Sequence, residues 1–186
     1  MAKTEVTKQL EMAITQAMVK VGTYGCLEVT IGTLGEERVD YMTVDSKGTW
    51  RCFEVKCSVS DFRSKAKKSF VGHYNYFVLT EELYEKVKDE IASEIGVYVG
   101  LKRVRCVKRA KKQELKVDEG ILTMSMIRSL SRDANKLYVS GNDVAINKFN
   151  SEINRLTEEN RLLRSDLYYA RLEKRFGEKS NEKGVR

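Results

Sequence analysis

The chain predicts an α/β fold, with a mixed central sheet flanked by helices and a long C-terminal helix behind it. Three observations carry that reading. An amphipathic stripe at the N-terminus gives way to segments of apolar alternation; further strand-like runs then alternate with a helical one; and a seven-residue apolar repeat occupies the region after Asp143. A chain of 186 residues holds one domain of ordinary size plus an appendage. We therefore expect a globular domain over 1–141, a coiled-coil dimerisation helix over 142–176 and a flexible tail over 177–186.

Over 4–21, Val6, Leu10, Ala13, Ile14, Ala17 and Val21 fall on one helical stripe, and Gly22 and Gly25 end it. Leu27, Val29 and Ile31 alternate with Glu28 and Thr30 as a first strand, which points Glu28 away from the apolar face. The stretch ERVDYMTVD-SKG-TWRCFEVKC then reads as two alternating strands joined by a three-residue loop with Gly48 in the left-handed conformation. Ser60 to Lys68 is polar and basic, a helix start or loop over the active face. Tyr76 to Leu79 is a buried strand, 81–91 a helix and Val97 to Leu101 another strand, an αβββαβαβ-like order; Asp118 caps a further helix running to about Tyr138. Beyond it, Ile146, Ile153, Asn160 and Leu167 share one heptad position and Phe149, Leu156, Leu163 and Ala170 the other. Asn160 in that seam, with Ile153, Leu156, Leu163 and Leu167 around it, predicts a parallel homodimer.

The hairpin carries the chemistry. If Asp45 pairs with Thr49, Asp40 faces Glu54 and Arg38 faces Lys56, while Val39, Tyr41, Phe53 and Val55 share the opposite, core face. Opposed carboxylates, with Cβ atoms roughly 5 Å apart, repel and call for a neutralising cation. Hard oxygen donors suit Mg²⁺, with Mn²⁺ as a substitute, because Mg²⁺ takes one or two carboxylates and leaves its other positions to water and phosphate. Lys56 stays on Glu54's face, where an ammonium orients water and stabilises charge on a phosphate.

Composition narrows the partners. No stretch is long and apolar enough to span a membrane and the first residues form no signal peptide, so a cytoplasmic protein is expected. Cys26, Cys52, Cys57 and Cys106 form no C-x-x-C pair and His73 stands alone, which speaks against zinc; Cys26, Cys52 and Cys57 read as core fillers and His73 as a loop or strand-edge residue. Between Lys102 and Lys116 eight Lys or Arg meet Glu114 alone, which equals the whole formal net charge of +7. Beside a phosphate-directed centre, that ridge, with Lys108, Arg109, Lys111 and Lys112 at its middle, is expected to grip a DNA backbone, as are Arg38, Lys65, Lys67 and Lys68.

These motifs resemble the PD-(D/E)XK nuclease superfamily, and the longer run is similar to MmcB-type DNA repair proteins and related phage proteins. The resemblance lies in LEVTIG with Glu28, ERVD with Arg38 and Asp40, FEVKCSVSDF with Glu54, Lys56, Ser58, Asp61 and Phe62, and Lys67. Lys65 stands where an acidic residue is usual, and the segment before NYFVL is short. The resemblance implies a restriction-endonuclease-like fold, Asp40 and Glu54 as metal ligands, Lys56 as the catalytic lysine and Glu28 or Glu11 as a completing ligand. It also implies metal-dependent hydrolysis of DNA phosphodiester bonds in repair, recombination or phage DNA processing, branched substrates included. The alternative is a nucleic-acid-binding or regulatory protein on the same fold, dimerised by its coiled coil and without turnover; a weaker one is a scaffold that recruits a partner through that helix.

Overall fold

The structure, a computed structural model, describes residues 3–32, 37–64 and 69–141, with single positions from 147 to 169 beyond them. The chain divides into two compact units, 1–133 and 134–186. The boundary falls inside the last long helix, not after it. Those single positions are helical, while Ile153, Leu156, Asn160, Leu163, Leu167 and the tail 177–186 lie outside the described residues.

Helix α1 (Glu5–Met18) opens on Thr4, whose hydroxyl accepts the Thr7 amide, and buries Leu10, Ala13 and Ile14. It stops at Met18, short of the expected Val21: Val19 is already extended, and Val21 is fully exposed, so the apolar period there has nothing to pack on. Gly25 belongs to β1 (Thr23–Ile31) and not to the helix end; a Cβ there would collide with the Tyr41 ring. The order continues β2 (Glu37–Asp45), β3 (Trp50–Lys56), α2 (Val59–Phe62), β4 (Tyr74–Leu79), α3 (Glu81–Val87) with a 3-10 turn, β5 (Gly96–Gly100), β6 (Val104–Lys108) and α4 (Glu119–Ser140). Asp118 Oδ1 accepts the Gly120 and Ile121 amides at 2.9 and 3.2 Å and so caps α4 as expected.

The six strands lie side by side in chain order. The first three are antiparallel, β3, β4 and β5 are parallel, and β6 returns antiparallel along the edge. The sequence reading had no separate β6: its Arg and Lys residues hid the strand inside the basic run, although charge on an edge strand is ordinary protection against pairing with another chain. The β2–β3 turn is the expected one. Gly48 has φ 72°, its amide donates to Asp45 O at 2.9 Å, and Asp45 N donates to Thr49 O at 3.2 Å. Asp45 Oδ1 also takes the Lys47 and Thr49 amides, which fixes the loop. The register runs from Val44 opposite Trp50 to Tyr41 opposite Phe53.

Both faces of this sheet are covered. α1 packs Leu10 and Ile14 on Tyr41, Phe53, Val55 and Val78, with Phe53 stacked on Tyr76 at 5.3 Å between centroids. On the reverse face Leu122 and Met126 of α4 meet Met42, Trp50 and Cys52, and Leu83 and Val87 of α3 meet Phe62, Phe77 and Leu79. The expectation of one core face and one chemical face is thereby corrected: the polar groups lie where the strands part.

Candidate active site

An unbroken strand alternates faces residue by residue, so residues three apart never share a face. Cys26 and Val29 nevertheless enter one core cluster, and so do their opposite numbers Met42 and Val39. Both strands change face between them. The cause is local: Glu28 has φ 52°, a left-handed conformation uncommon outside glycine, and the ladder omits the Glu28–Asp40 pair while Leu27–Tyr41 and Val29–Val39 stand on either side. Val39 therefore leaves the Tyr41, Phe53 and Val55 face where sequence alternation had put it. From α4, Arg132 donates to the Leu27 and Glu28 carbonyls at 3.5 Å each and braces the kink.

On β2's other side the ladder ends at Tyr41–Phe53, one step short of Asp40 and Glu54. Beyond that point Asp40 Oδ2 takes the Val55 amide at 2.8 Å, a bond that a strand carbonyl would otherwise accept. Glu54 is 3% exposed, its Oε1 accepts the Ser69 amide at 3.2 Å, and Lys56 Nζ stands 3.7 Å from its Oε2 and 3.7 Å from Asp61 Oδ1. Asp61 is set by a short cap: Ser58 Oγ accepts the Asp61 amide, and Asp61 Oδ2 accepts from Cys57 N. The sequence's three principal residues are thus brought together at the break in the sheet.

Glu11, which the resemblance implies as a completing ligand, is buried. Lys3 holds it: its ammonium lies 2.6 Å from Glu11 Oε1 and 2.7 Å from Glu28 Oε1. Burial pushes the Glu11 carboxyl above its ordinary range against the pull of Lys3, with the charges of Asp40 and Glu28 adding to the rise. Glu28 goes the other way, held below its ordinary range by the hydrogen bond from Lys3. Asp40 is raised by burial despite the Val55 amide, and burial together with the Asp40 charge pushes Glu54 up to about 7, with Lys56 opposing. Asp40 thus acts on both Glu11 and Glu54, and Glu28 acts on Glu11.

That arrangement fits a divalent cation. Among the described residues no three His, Cys, Asp or Glu side chains form a metal-holding group, but Mg²⁺ accepts two carboxylates and fills its other positions with water and phosphate. A cation would relieve the repulsion between Asp40 and Glu54. The Ser69 hydroxyl, buried beside Glu54 with no hydrogen-bond partner, is a polar atom that a bound water or phosphate oxygen would satisfy.

The basic residues divide. Arg38 is exposed next to the cluster and lowers both Glu28 and Asp40. Lys65, Lys67 and Lys68 lie outside the described residues. Lys108 turns inward, donating to the Ile91 and Ala92 carbonyls at 3.1 and 2.8 Å, and Lys111 reaches Ser93 Oγ at 3.3 Å. After β6 the chain returns past the starts of the parallel strands, with Lys111 N bonded to Glu94 O and Gln113 N to His73 O, so Arg109 to Lys112 sit at the opposite end of the sheet from Lys56. His73 itself accepts the Trp50 amide on Nδ1 at 3.1 Å, a structural duty in keeping with its loop reading. Lys3, Ser69 and Arg132 were missed in the sequence. Lys3 precedes the first cap, Ser69 borders the Lys-rich segment, and Arg132 lies more than 100 residues from the carbonyls it holds, so no local period marks any of them.

Beyond the carboxyl ends of β3, β4 and β5, a groove of about 640 Å³ is lined by Val6, Cys57, Thr80, Glu82, Leu101 and Arg103. Glu81 and Gly100 complete its lining, and Asp40, Glu54 and Lys56 are not part of it. No helix among the described residues is long and apolar enough to cross a membrane. No family model matches the chain, and no curated protein matches it. A protein of unknown function from Silicibacter pomeroyi, solved as a structure, is similar with a TM-score of 0.58 over 73% of this chain and 91% of that one at 18% identity. A likeness at that identity speaks to the fold alone, a mixed α/β sheet flanked by helices.

Proposed function

We propose that this chain is a divalent-metal-dependent nuclease of the PD-(D/E)XK type, with a restriction-endonuclease-like fold, that hydrolyses DNA phosphodiester bonds. The single observation that carries the reading is the convergence of Asp40, Glu54 and Lys56 where β2 parts from β3 and its ladder with β1 skips one pair, in a hairpin whose register was expected from its turn. A structural ion pair needs no second buried carboxylate beside it, and two carboxylates that repel each other are costly to keep without a cation.

Asp40 and Glu54 are the residues that would hold Mg²⁺, with Glu28 and Glu11 next to them. When bound, the ion supplies positive charge to a phosphate oxygen and lowers the pKa of a water. Lys56, tethered between Glu54 and Asp61, orients that water and stabilises the negative charge that grows on the phosphate. The Ser69 amide fixes Glu54's rotamer. Parallel homodimerisation through the heptads after Asp143 belongs to the same proposal, and light scattering of the full chain tests it.

A second reading, binding without turnover, draws on the lack of a three-ligand group among the described residues. Incubation with linear, nicked, flapped and branched DNA in Mg²⁺ or Mn²⁺ separates the two. Cleavage by the wild type that Lys56→Ala abolishes supports the nuclease; tight binding with no cleavage in either metal overturns it.

A further inference from the structure

Lys3 makes the shortest ion pairs at the site, and it makes them with the two carboxylates that stand next to Asp40. Its ammonium occupies Glu11 Oε1 and Glu28 Oε1 together. Neither bond is a loose surface pairing, because the Glu11 side chain is 8% exposed and that of Lys3 only 32%. Lys3 also sits just outside α1. Thr4 provides the cap, so Lys3 can leave the cluster without uncapping the helix. Five carboxylates, Glu11, Glu28, Asp40, Glu54 and Asp61, therefore meet two ammonium groups, Lys3 and Lys56, with Arg38 and Arg132 acting on Glu28 from further out.

Resting on the metal-dependent reading above, we propose that Lys3 is a built-in competitor of the divalent cation. It neutralises the acidic cluster in the metal-free protein and must release Glu11 and Glu28 before either carboxylate serves a metal. An ammonium donor and a metal ion seek the same carboxylate oxygens, and like charges a few ångströms apart in a poorly hydrated site exclude each other. Lys3 thus keeps the cluster tolerable without metal and raises the metal concentration at which the site fills. Lys56 has the separate task, since it contacts Glu54 and Asp61 and neither of the carboxylates that Lys3 holds.

The test is Mn²⁺ binding to the full chain, read by the electron paramagnetic resonance signal of free Mn²⁺. It compares wild type, Lys3→Met, Lys3→Arg and Lys8→Met, with circular dichroism to verify that each is folded. Lys8 belongs to the same end of α1 but pairs at 3.8 Å with Glu5, so its loss removes one positive charge without opening the cluster. Lys3→Met should bind Mn²⁺ about fivefold more tightly, about the most that one partly exposed ion pair commonly provides, while Lys3→Arg and Lys8→Met stay at the wild-type value. In the wild type, Mg²⁺ should speed acetylation of Lys3 by an amine reagent, followed by mass spectrometry. Equal or weaker Mn²⁺ binding by Lys3→Met, an equal gain in Lys8→Met, or acetylation indifferent to Mg²⁺ overturns the competitor and leaves the metal reading standing. Binding of Mn²⁺ by none of the four overturns both.

Discussion

Two charged regions of the first unit use their charges in opposite ways. At the parting of β2 and β3, Glu11, Asp40 and Glu54 are removed from water beside one another and raised above their ordinary range. Along β6 and the segment after it, Arg105 pairs with Glu81, Lys108 satisfies two carbonyls, Lys111 reaches a hydroxyl, and Arg109 and Lys112 stay exposed. In sequence the basic run is the more conspicuous. In space the acidic group is the one under electrostatic stress, and stress of that kind, which burial creates and composition does not record, is what the proposed cation would relieve.

Breaking the acidic region should have the largest effect. Asp40→Asn or Lys56→Ala is expected to lower cleavage at least about 10³-fold in single-turnover assays while the fold survives, since the first removes a charge that would hold the metal and the second a charge that would stabilise the reacting phosphate. Residual activity within tenfold of wild type would assign the chemistry elsewhere.

Stability sharpens the same contrast. A carboxyl whose folded pKa is raised binds its proton more tightly when folded; Glu54's contribution is thus intact below its ordinary 4.5 and is lost as pH climbs through about 7. Metal-free protein should therefore lose stability across that window, and Glu54→Gln should be more stable than wild type at pH 8 by about 2 kcal/mol in urea unfolding, converging with it at pH 4. A wild type that gains stability from pH 4 to 8 without metal, with Glu54→Gln following it in parallel, contradicts the assignment.

On the basic edge the effects are smaller. Lys108→Met should cost about 1 kcal/mol of stability through the two carbonyls it leaves without their ammonium, whereas Lys112→Gln should cost nothing measurable. For DNA binding the order reverses: the Arg109→Gln, Lys112→Gln double variant should flatten the salt dependence by about 0.9 unit for each phosphate it no longer neutralises, and Lys108→Met should barely move it. An unchanged slope in the double variant would return that edge to solvent.

The hairpin was legible because turn chemistry fixes register: a three-residue loop ending in left-handed Gly48 leaves one pairing for the strands, and the α4 cap at Asp118 was legible for a similar local reason. What escaped was set by distant parts of the chain. A left-handed glutamate at position 28 contradicts residue propensity and persists where the surroundings hold it, here with Arg132 on its carbonyl and Lys3 on its carboxylate. The burial of Glu11 likewise depends on Lys3 and not on its own helix.

In the sheet each strand lies beside the one that precedes it in the chain. Such an arrangement suits growth from the N-terminus during translation, because every strand finds its partner already present. Helix α4 breaks this sequence: it reaches back to β1, with Arg128 on the Gly32 carbonyl at 2.6 Å and Arg132 on Leu27 and Glu28. The acidic residues emerge early from the ribosome, yet the brace on their kinked strand arrives only after residue 132 has been made. A nascent chain would hold every strand of the sheet before it held this brace, so the kink at Glu28 would be among the last features of the first unit to be fixed.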